Sequence, residues 1–352
     1  MDKYRLDPNK GLEFGVYTLG DHLTNPHTGE RIPAVQRIDE IIEFAKLAEE
    51  AGVDFFSVGE SHQEYFTTQA HTVVLAAIAQ ATKKIKIGSA STIISTLDPV
   101  RVYEDFATID LISKGRTEIV AGRASRVGVF ELLGYDIRDY EELFEEKFEL
   151  LLKINEEEIV NWSGQYRAPL KNAKVLPRPY HGWLPIWRAV GGSPASAIKA
   201  GFAGVPMFIA MLGGPASSFK RSIDAYREAA RERGFDPATL PVATAGFFYA
   251  AETTQQALKE YYPHIHEGMK LTNGRGFPKQ LFAQGADTRD VMNVGSPQQI
   301  IEKILYQYEL FGHQRYIAQM DFGGVPFDKI RKNIEIIATE ILPAVRKYTA
   351  KK

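Results

Sequence analysis

The stretch FAKLAEEAGVDFFSVGES, residues 44–61, contains the unit from which the fold can be inferred. An amphipathic helix ends at a glycine, and a short apolar run of β-forming residues follows within a few positions. The same unit recurs at 195–211, 226–250 and 304–320. Apolar runs without alternation are typical of strands buried on both faces, so the repeat predicts a parallel sheet covered by helices.

In each of these units a glycine is predicted to end the helix with a positive φ, a conformation that residues with a side chain disfavour. The four glycines are Gly52, Gly201, Gly234 and Gly312. If they end helices, each following apolar run begins within a few residues of the glycine, as it does in βα repeats.

Eight candidate strands alternate with helices along the chain. Eight parallel units that close on themselves form a barrel, whereas a doubly wound sheet usually has fewer strands and a glycine-rich first turn. The first turn here, YTLGDHLTNPHTGE, lacks G-x-G-x-x-G. We therefore predict an α/β fold, a single (β/α)8 TIM barrel domain over 1–352. Its predicted strands are 12–19, 54–60, 85–92, 117–122, 184–190, 205–211, 241–250 and 315–321.

Two segments depart from the regular spacing, 124–183 and 269–295. They follow strands 4 and 7, and we expect them to be insertions. Loops after barrel strands lie at the carboxyl-terminal rim, where active sites are built. The two insertions are therefore expected to shape the active site.

Composition excludes several classes of function. Lys and Arg number 42 against 44 Asp and Glu, a net charge of −2, which argues against nucleic acid or an anionic membrane as a partner. The chain has no cysteine, so thiolate chemistry is excluded and redox chemistry requires a bound cofactor. No signal-like or membrane-spanning apolar stretch occurs, and we expect a cytoplasmic protein.

The end of strand 2 carries Glu60 and His62 in the run VGESH. A carboxylate and an imidazole at the rim could perform acid–base chemistry. The alternative is a packed glutamate and a surface histidine with no such role.

Arg123 ends strand 4, where its guanidinium could bind a phosphate or a carboxylate. A rim salt bridge to Glu60 is the alternative. Strand 5 runs through Gly191 and Gly192 into the start of a helix at Ser193 and Ser196. Free amides and hydroxyls at a helix start bind anions, although Ser193 could equally be a simple helix cap.

Signals for a metal are weak. His264 and His266 lie on a predicted outer helix, away from the strand ends. No metalloprotease, P-loop or hydrolase motif is present. We expect no metal.

Three stretches of the chain resemble the bacterial luciferase-like family of flavin-dependent monooxygenases. They are EEAGVDFFSVGESH, WRAVGGSPASAIKAGFAG and the most specific one, D-P-V-R-x-x-E-D-x-A-T-x-D-x-x-S-x-G-R at 98–116. The resemblance covers nearly the whole chain. It implies a barrel that binds reduced FMN as co-substrate and uses O2 to oxygenate a small organic substrate. Because no nicotinamide-binding motif is present, a separate flavin reductase would supply the reduced flavin. The family also implies a homodimer.

The resemblance further implies which residues hold the flavin. The phosphate would be bound by Arg123 and by the turn after strand 5, namely Gly191, Gly192, Ser193 and Ser196. The isoalloxazine would lie against Tyr17, Ala90, Ser91 and Thr92. The peptide bond between Ala90 and Ser91 is expected to be cis.

Two positions depart from the family pattern. Ser61 stands where luciferase has its catalytic histidine, so His62, assisted by Glu60, becomes the predicted acid–base residue. Glu141 stands near a second phosphate-binding arginine of luciferase, with Arg126 or Arg138 as possible substitutes. Two further functions stay open, a deazaflavin-dependent oxidoreductase on the same scaffold and a non-catalytic flavin-binding protein.

Overall fold

The computed structural model describes residues 2–7 and 9–351. Their strands are β1 Glu13–Thr18, β2 Phe55–Val58, β3 Lys86–Ser89, β4 Thr92–Ile93, β5 Thr117–Gly122, β6 Val160–Trp162, β7 Leu170–Ala173, β8 Ile186–Val190, β9 Met207–Ala210, β10 Val242–Ala250, β11 Asn293–Gly295 and β12 Arg315–Gln319. Eight of them close into a parallel barrel in the order β1-β2-β3-β5-β8-β9-β10-β12, with β12 paired to β1. The predicted TIM barrel is confirmed, and each predicted strand corresponds to one barrel strand.

Helices cover the outside of this barrel. They are α1 Ala34–Glu50, α2 His71–Ala81, α3 Pro99–Ser113, α4 Gly128–Leu132, α5 Tyr140–Glu156, α6 Pro194–Phe202, α7 Ala216–Glu232, α8 Thr254–Asn273, α9 Lys279–Gln284, α10 Pro297–Phe311, α11 Phe327–Ile336 and α12 Leu342–Thr349. A π-helical segment, Ile337–Ile341, joins the last two, and short 3-10 turns lie at Asp2–Tyr4, Ile94–Thr96, Ile137–Asp139 and Pro237–Thr239. In the part of the chain that the structure covers, no helix combines the length and the apolar character that crossing a membrane requires.

Three of the four predicted helix-ending glycines have the expected positive φ: 76° at Gly52, 81° at Gly234 and 56° at Gly312. The prediction for Gly201 is wrong. Helix α6 continues through it to Phe202, and the chain turns at Gly204 with φ 62°. Gly201 is needed for another reason, since a Cβ there would collide with the main-chain carbonyl of Tyr226. Helices α6 and α7 therefore pack at a distance that only glycine permits.

A layer of buried charge closes the amino-terminal end of the barrel. The Arg315 guanidinium donates to both oxygens of Glu118 at 2.8 and 3.0 Å and to Glu13 at 2.8 Å. Trp187 donates its indole N–H to Glu118 at 2.9 Å, and Lys86 pairs with Glu13. Because these groups bond to one another, they fill the lower part of the barrel interior and leave the carboxyl ends of the strands for a binding site.

The longest connections between successive barrel strands are 123–185 and 251–314. The first contains α4, α5 and the antiparallel pair β6–β7, and the second contains α8, α9, β11 and α10. Arg188, on the outer face of β8, holds α5 in place by bonding both oxygens of Glu145 at 2.8 and 2.6 Å. Both connections leave the barrel at its carboxyl end, next to the site described below.

Candidate active site

A cavity of about 690 Å³ opens at the carboxyl ends of the barrel strands. Its size is within the range of small-molecule sites, which run from about 300 to 1,000 Å³. Nine of the predicted site residues line it: Tyr17, Glu60, His62, Ala90, Ser91, Arg123, Gly191, Ser193 and Ser196. Residues far apart in the chain, from the first to the fifth barrel strand, thus meet at one concave surface.

Two predicted site residues do not line the cavity. Thr92 in β4 turns its hydroxyl to Nε2 of His71 at 2.8 Å, away from the opening. Gly192 has φ 91° and accepts a hydrogen bond from the Ser222 hydroxyl at 2.6 Å. Both residues lie behind the surface of the cavity, where their hydrogen bonds stabilise the rim.

At one end of the cavity lies Arg123, whose Nη1 is 2.6 and 2.7 Å from the two carboxylate oxygens of Glu141. Its Nη2 donates to the Ser196 hydroxyl at 2.7 Å. The alternative partner considered from the sequence, Glu60, is not bonded to it. Arg123 therefore holds a carboxylate at the position predicted for the flavin phosphate.

Lys199 extends this charged end of the cavity. Its ammonium nitrogen is 3.1 Å from Glu141 and 3.1 Å from Glu145. Glu145 in turn pairs with Arg188. Glu141 thus has two cationic partners, and Lys199 can hold its carboxylate when Arg123 binds another anion.

The start of helix α6 faces the same end. Ser193 occupies the N-cap position, yet its side chain makes no capping hydrogen bond. The alternative reading of Ser193 as a simple cap is therefore wrong. The first amides of a helix have no intrahelical acceptor, and Pro194 at the first position removes one of them. The hydroxyl of Ser193 and the remaining amides are available to an anion.

On the wall of the cavity, His62 and Glu60 form a hydrogen-bonded pair, with His62 Nε2 2.7 Å from Glu60 Oε1. The other oxygen, Oε2, accepts the main-chain N–H of Ile93 at 2.7 Å. The Glu60 side chain is buried, whereas that of His62 is 12% exposed. A carboxylate acceptor places the imidazole proton on Nε2, which leaves Nδ1 able to accept a proton.

The floor beside this pair contains the Ala90–Ser91 peptide bond, which is cis as predicted. Ala90 and Ser91 line the cavity. A Cβ at Gly59 would collide with Ala90, and one at Gly122 would collide with Ser91. The need for a glycine at these two positions was not predicted, although each lies at the end of a predicted strand.

A buried acidic pair lies behind the cavity wall. Asp321 accepts from Thr18 and Arg37, and Asp21 accepts the Gly323 amide at 2.9 Å. Burial, together with the neighbouring Asp321 carboxylate, raises the pKa of Asp21 to about 7. Asp321 was predicted only to end a strand, and its pairing with Asp21 was not predicted, because the two residues lie 300 positions apart in the chain.

Further residues that line the cavity were not predicted. One is Gln319, whose side-chain oxygen accepts a hydrogen bond from the predicted Tyr17 hydroxyl at 2.6 Å, so that both side chains are fixed at the wall. Apolar residues cover much of the remaining surface: Leu19, Val129, Phe208, Leu212, Phe247, Met269 and Phe322. Of the two substitute arginines, Arg138 is exposed and paired with Asp136, whereas Arg126 lines the cavity.

Comparison with known proteins gives the same fold. The chain is 28% identical to the alkanal monooxygenase alpha chain of Photorhabdus luminescens over 87% of this chain and 91% of that protein. It superposes on monooxygenase RslO1 from Streptomyces bottropensis with a TM-score of 0.81, at 23% identity, covering 94% of this chain and 99% of that one.

Two further solved structures differ from each other in cofactor. The oxygenating constituent of 3,6-diketocamphane monooxygenase from Pseudomonas putida, in complex with FMN, gives a TM-score of 0.74 at 19% identity, covering 95% and 98% of the two chains. An F420-dependent secondary alcohol dehydrogenase, solved with an F420–acetone adduct, gives 0.71 at 19% identity, covering 95% and 99%. Likeness of fold alone therefore does not choose the cofactor.

The family model described as luciferase-like monooxygenase matches residues 12–314. This match covers seven of the eight barrel strands and ends just before β12, Arg315–Gln319. The chain therefore belongs to the luciferase-like monooxygenase family of oxidoreductases.

Proposed function

We propose that this protein is an FMN-dependent monooxygenase that oxygenates a small organic substrate with O2. One observation carries the proposal. A single cavity has an anion-binding end, built by Arg123, Ser193 and Ser196, and a His62–Glu60 pair on its wall. That arrangement suits a phosphorylated cofactor at one end and proton transfer near the other.

The residues present fit FMN. Arg123 and Ser196 would hold the phosphate with the free hydroxyl of Ser193. A Cβ at Gly191 would meet open space, so the main chain there is accessible to a ligand. Tyr17, with Ala90 and Ser91, would support the ring. Glu141 opposes the phosphate, because its carboxylate already occupies the Arg123 guanidinium.

Bound reduced flavin would supply the electrons that activate O2. The chain itself positions the reactants and moves protons. His62 faces the cavity with Nδ1 able to accept a proton, and Glu60 fixes its ring through the 2.7 Å bond. The apolar rings of Phe208, Phe247 and Phe322 line the wall and would keep water from the reacting groups. His62 and Glu60 are thus proposed as the acid–base pair.

Two partners belong to the proposal. Because the chain has no dinucleotide-binding motif, a separate flavin reductase would deliver reduced FMN, as the name "oxygenating constituent" suggests for the diketocamphane relative. The second is another copy of the chain in a homodimer, which light scattering of the purified protein tests.

The test of the function is O2 consumption by the purified protein with FMN and NADPH, with and without an added flavin reductase. Substrate-dependent O2 consumption and an oxygenated product are expected only when the reductase is present. Comparable NADPH oxidation by this chain alone would refute the two-component arrangement.

The same assay separates the alternatives. Hydride transfer with reduced deazaflavin and no O2 uptake would identify a deazaflavin-dependent oxidoreductase. Flavin binding without turnover on any substrate would identify a non-catalytic flavin-binding protein, for which Ser61 in place of the family histidine is the argument. The His62–Glu60 pair on the cavity wall favours an enzyme.

A further inference from the structure

Three cationic side chains line the cavity, and two of them are already paired. Arg123 and Lys199 both bond to Glu141. Arg126 is different, since no carboxylate among the described residues lies within 4.0 Å of its guanidinium. It is therefore the cation with charge to offer a ligand inside this cavity.

The hydrogen bonds of Arg126 are also incomplete. Its Nη1 is 3.5 Å from the Ser125 hydroxyl and its Nη2 is 3.4 Å from the Thr272 hydroxyl, both at the outer limit for such bonds. Its Nε is buried and makes no hydrogen bond with any residue that the structure describes. The Arg126 side chain is partly exposed, but its Nε is buried, and a buried donor without an acceptor is costly unless a ligand supplies one.

The orientation of Arg126 is nevertheless defined. Its guanidinium lies over the ring of Phe66, 4.8 Å from the ring centre. The edge of a guanidinium has the spacing to donate two parallel hydrogen bonds to a carboxylate. The contact with Phe66 restricts where Arg126 can present that edge.

Arg126 also points away from the phosphate end. Phe66 belongs to the connection after β2, and Thr272 lies on α8 after β10. Ser196 follows β8, which is opposite β1 in the barrel order, between β5 and β9. The cavity therefore has two separate cationic regions, one at Arg123 and one at Arg126.

We propose that Arg126 binds a carboxylate of the substrate, so that this enzyme acts on carboxylic acids with an apolar body. The inference rests on the proposed function, because it treats the space between the two regions as shared by flavin and substrate. Met269, Phe322 and Leu212 line the same cavity and supply contacts for the apolar body. A neutral substrate of the same shape would leave the Arg126 donors unsatisfied and would bind more weakly.

The experiment compares acids with their uncharged counterparts. The probes are octanoate, decanoate and phenylbutanoate, each beside its methyl ester. Binding to the FMN-loaded protein is measured by calorimetry, which needs no turnover, and kcat/KM is measured in the coupled O2 assay. The wild type is expected to bind each acid more tightly than its ester.

Arg126→Gln should remove this preference, and Arg126→Lys should restore part of it. The acid affinity is expected to fall on the order of 30-fold, as for the loss of one partner of a buried charge pair, with the ester affinity nearly unchanged. Arg138→Gln is the matched control, because Arg138 lies in the same connection but is exposed and paired with Asp136. It should behave as the wild type.

Three results would overturn the proposal. Equal losses for acid and ester in Arg126→Gln would mean that Arg126 only braces the loop against Thr272. A selective loss of FMN over riboflavin would assign Arg126 to the flavin phosphate. A wild type without preference for any acid would exclude a carboxylate site. If calorimetry shows the preference but no probe is oxygenated, Arg126 is a carboxylate-binding residue, and the proposed oxygenation of such acids fails.

Discussion

Glu141→Gln should tighten FMN binding, because Glu141 occupies the guanidinium that the phosphate needs. Both of its oxygens lie within 2.7 Å of Arg123 Nη1. Binding of FMN at this end must break that ion pair and bring two negative groups near each other. Glutamine keeps the shape of the side chain and removes the charge, so only the electrostatic competition changes.

The magnitude follows from the exposure of the pair. The Glu141 side chain is 47% exposed and that of Arg123 is 13% exposed, so solvent screens the interaction. An ion pair of this kind contributes about 0.2–1 kcal/mol. Repulsion between a carboxylate and a phosphate about 4 Å apart adds roughly 1 kcal/mol per pair of charges in water. The sum, about 1–2 kcal/mol, corresponds to roughly 5- to 30-fold tighter FMN binding.

The assay is fluorescence titration of FMN and riboflavin at low and high salt. Riboflavin lacks the phosphate, so its dissociation constant should not change in Glu141→Gln. Glu142→Gln is the matched control, because Glu142 lies beside Glu141 in the first turn of α5 but does not line the cavity. The gain for FMN should shrink at high salt, since the charges are partly exposed.

An unchanged or weaker affinity for FMN in Glu141→Gln would refute this reasoning. Equal gains in affinity for FMN and riboflavin would also refute it, because they would show that the substitution acts on the isoalloxazine ring or on the fold and not on the phosphate. A gain of the same size in Glu142→Gln would show a general charge effect on the rim instead of competition at Arg123.

Four further predictions follow from the site and the fold. Arg123→Ala should weaken FMN binding by roughly 30-fold or more and riboflavin much less, since it removes the partner of the phosphate alone. His62→Ala should lower kcat on the order of 100-fold if its imidazole transfers the proton. Asp21→Asn should raise Tm more at pH 8 than at pH 5. In the folded protein the Asp21 carboxyl keeps its proton up to about pH 7, whereas in the unfolded chain its pKa is 3.8. The free energy of unfolding therefore falls as the pH rises between these two values, and asparagine, which has no charge, avoids that loss. Gly201→Ala should cost about 1–3 kcal/mol of unfolding free energy, because its Cβ meets the main chain of α7.

Each of these has its own measurement and contrary result. Equal losses of FMN and riboflavin affinity, with a lower Tm, would make Arg123 a structural residue only. An unchanged kcat and pH–rate profile would exclude His62 from proton transfer. A pH-independent gain in Tm would show that Asp21 does not titrate in this window. Gly128→Ala is the control for Gly201, because a Cβ at Gly128 meets open space, and an equal loss there would contradict the packing argument.

The barrel and most of the cavity could be predicted because their signals are local. Apolar runs that follow glycine-ended helices predict parallel strands, and parallel strands place their carboxyl ends at one rim. Glu60, Arg123 and Gly191 stand directly at strand ends, so the topology alone brings them together. Thr92 also stands at a strand end, but the direction of its side chain depends on His71, which the sequence does not connect to it.

Pairing between distant side chains could not be predicted. Arg123 bonds Glu141 and Ser196 because α5 and α6 pack on the same side of the rim. Nothing in the sequence around Arg126 indicates that, in the part of the chain that the structure describes, no carboxylate lies within 4.0 Å of its guanidinium.

The sequence by itself determined the (β/α)8 barrel, the rim on which the site is built and the family to which the chain belongs. These follow from the periodicity of apolar residues, from the residues that end helices and from the long motif at 98–116, all of which are properties of residues close together in the sequence. Only the tertiary structure decided which charges are paired, which are left for a ligand and why Gly201 must be glycine. Those depend on distances of a few ångströms between segments far apart in the chain, and electrostatic and steric energies change steeply over such distances.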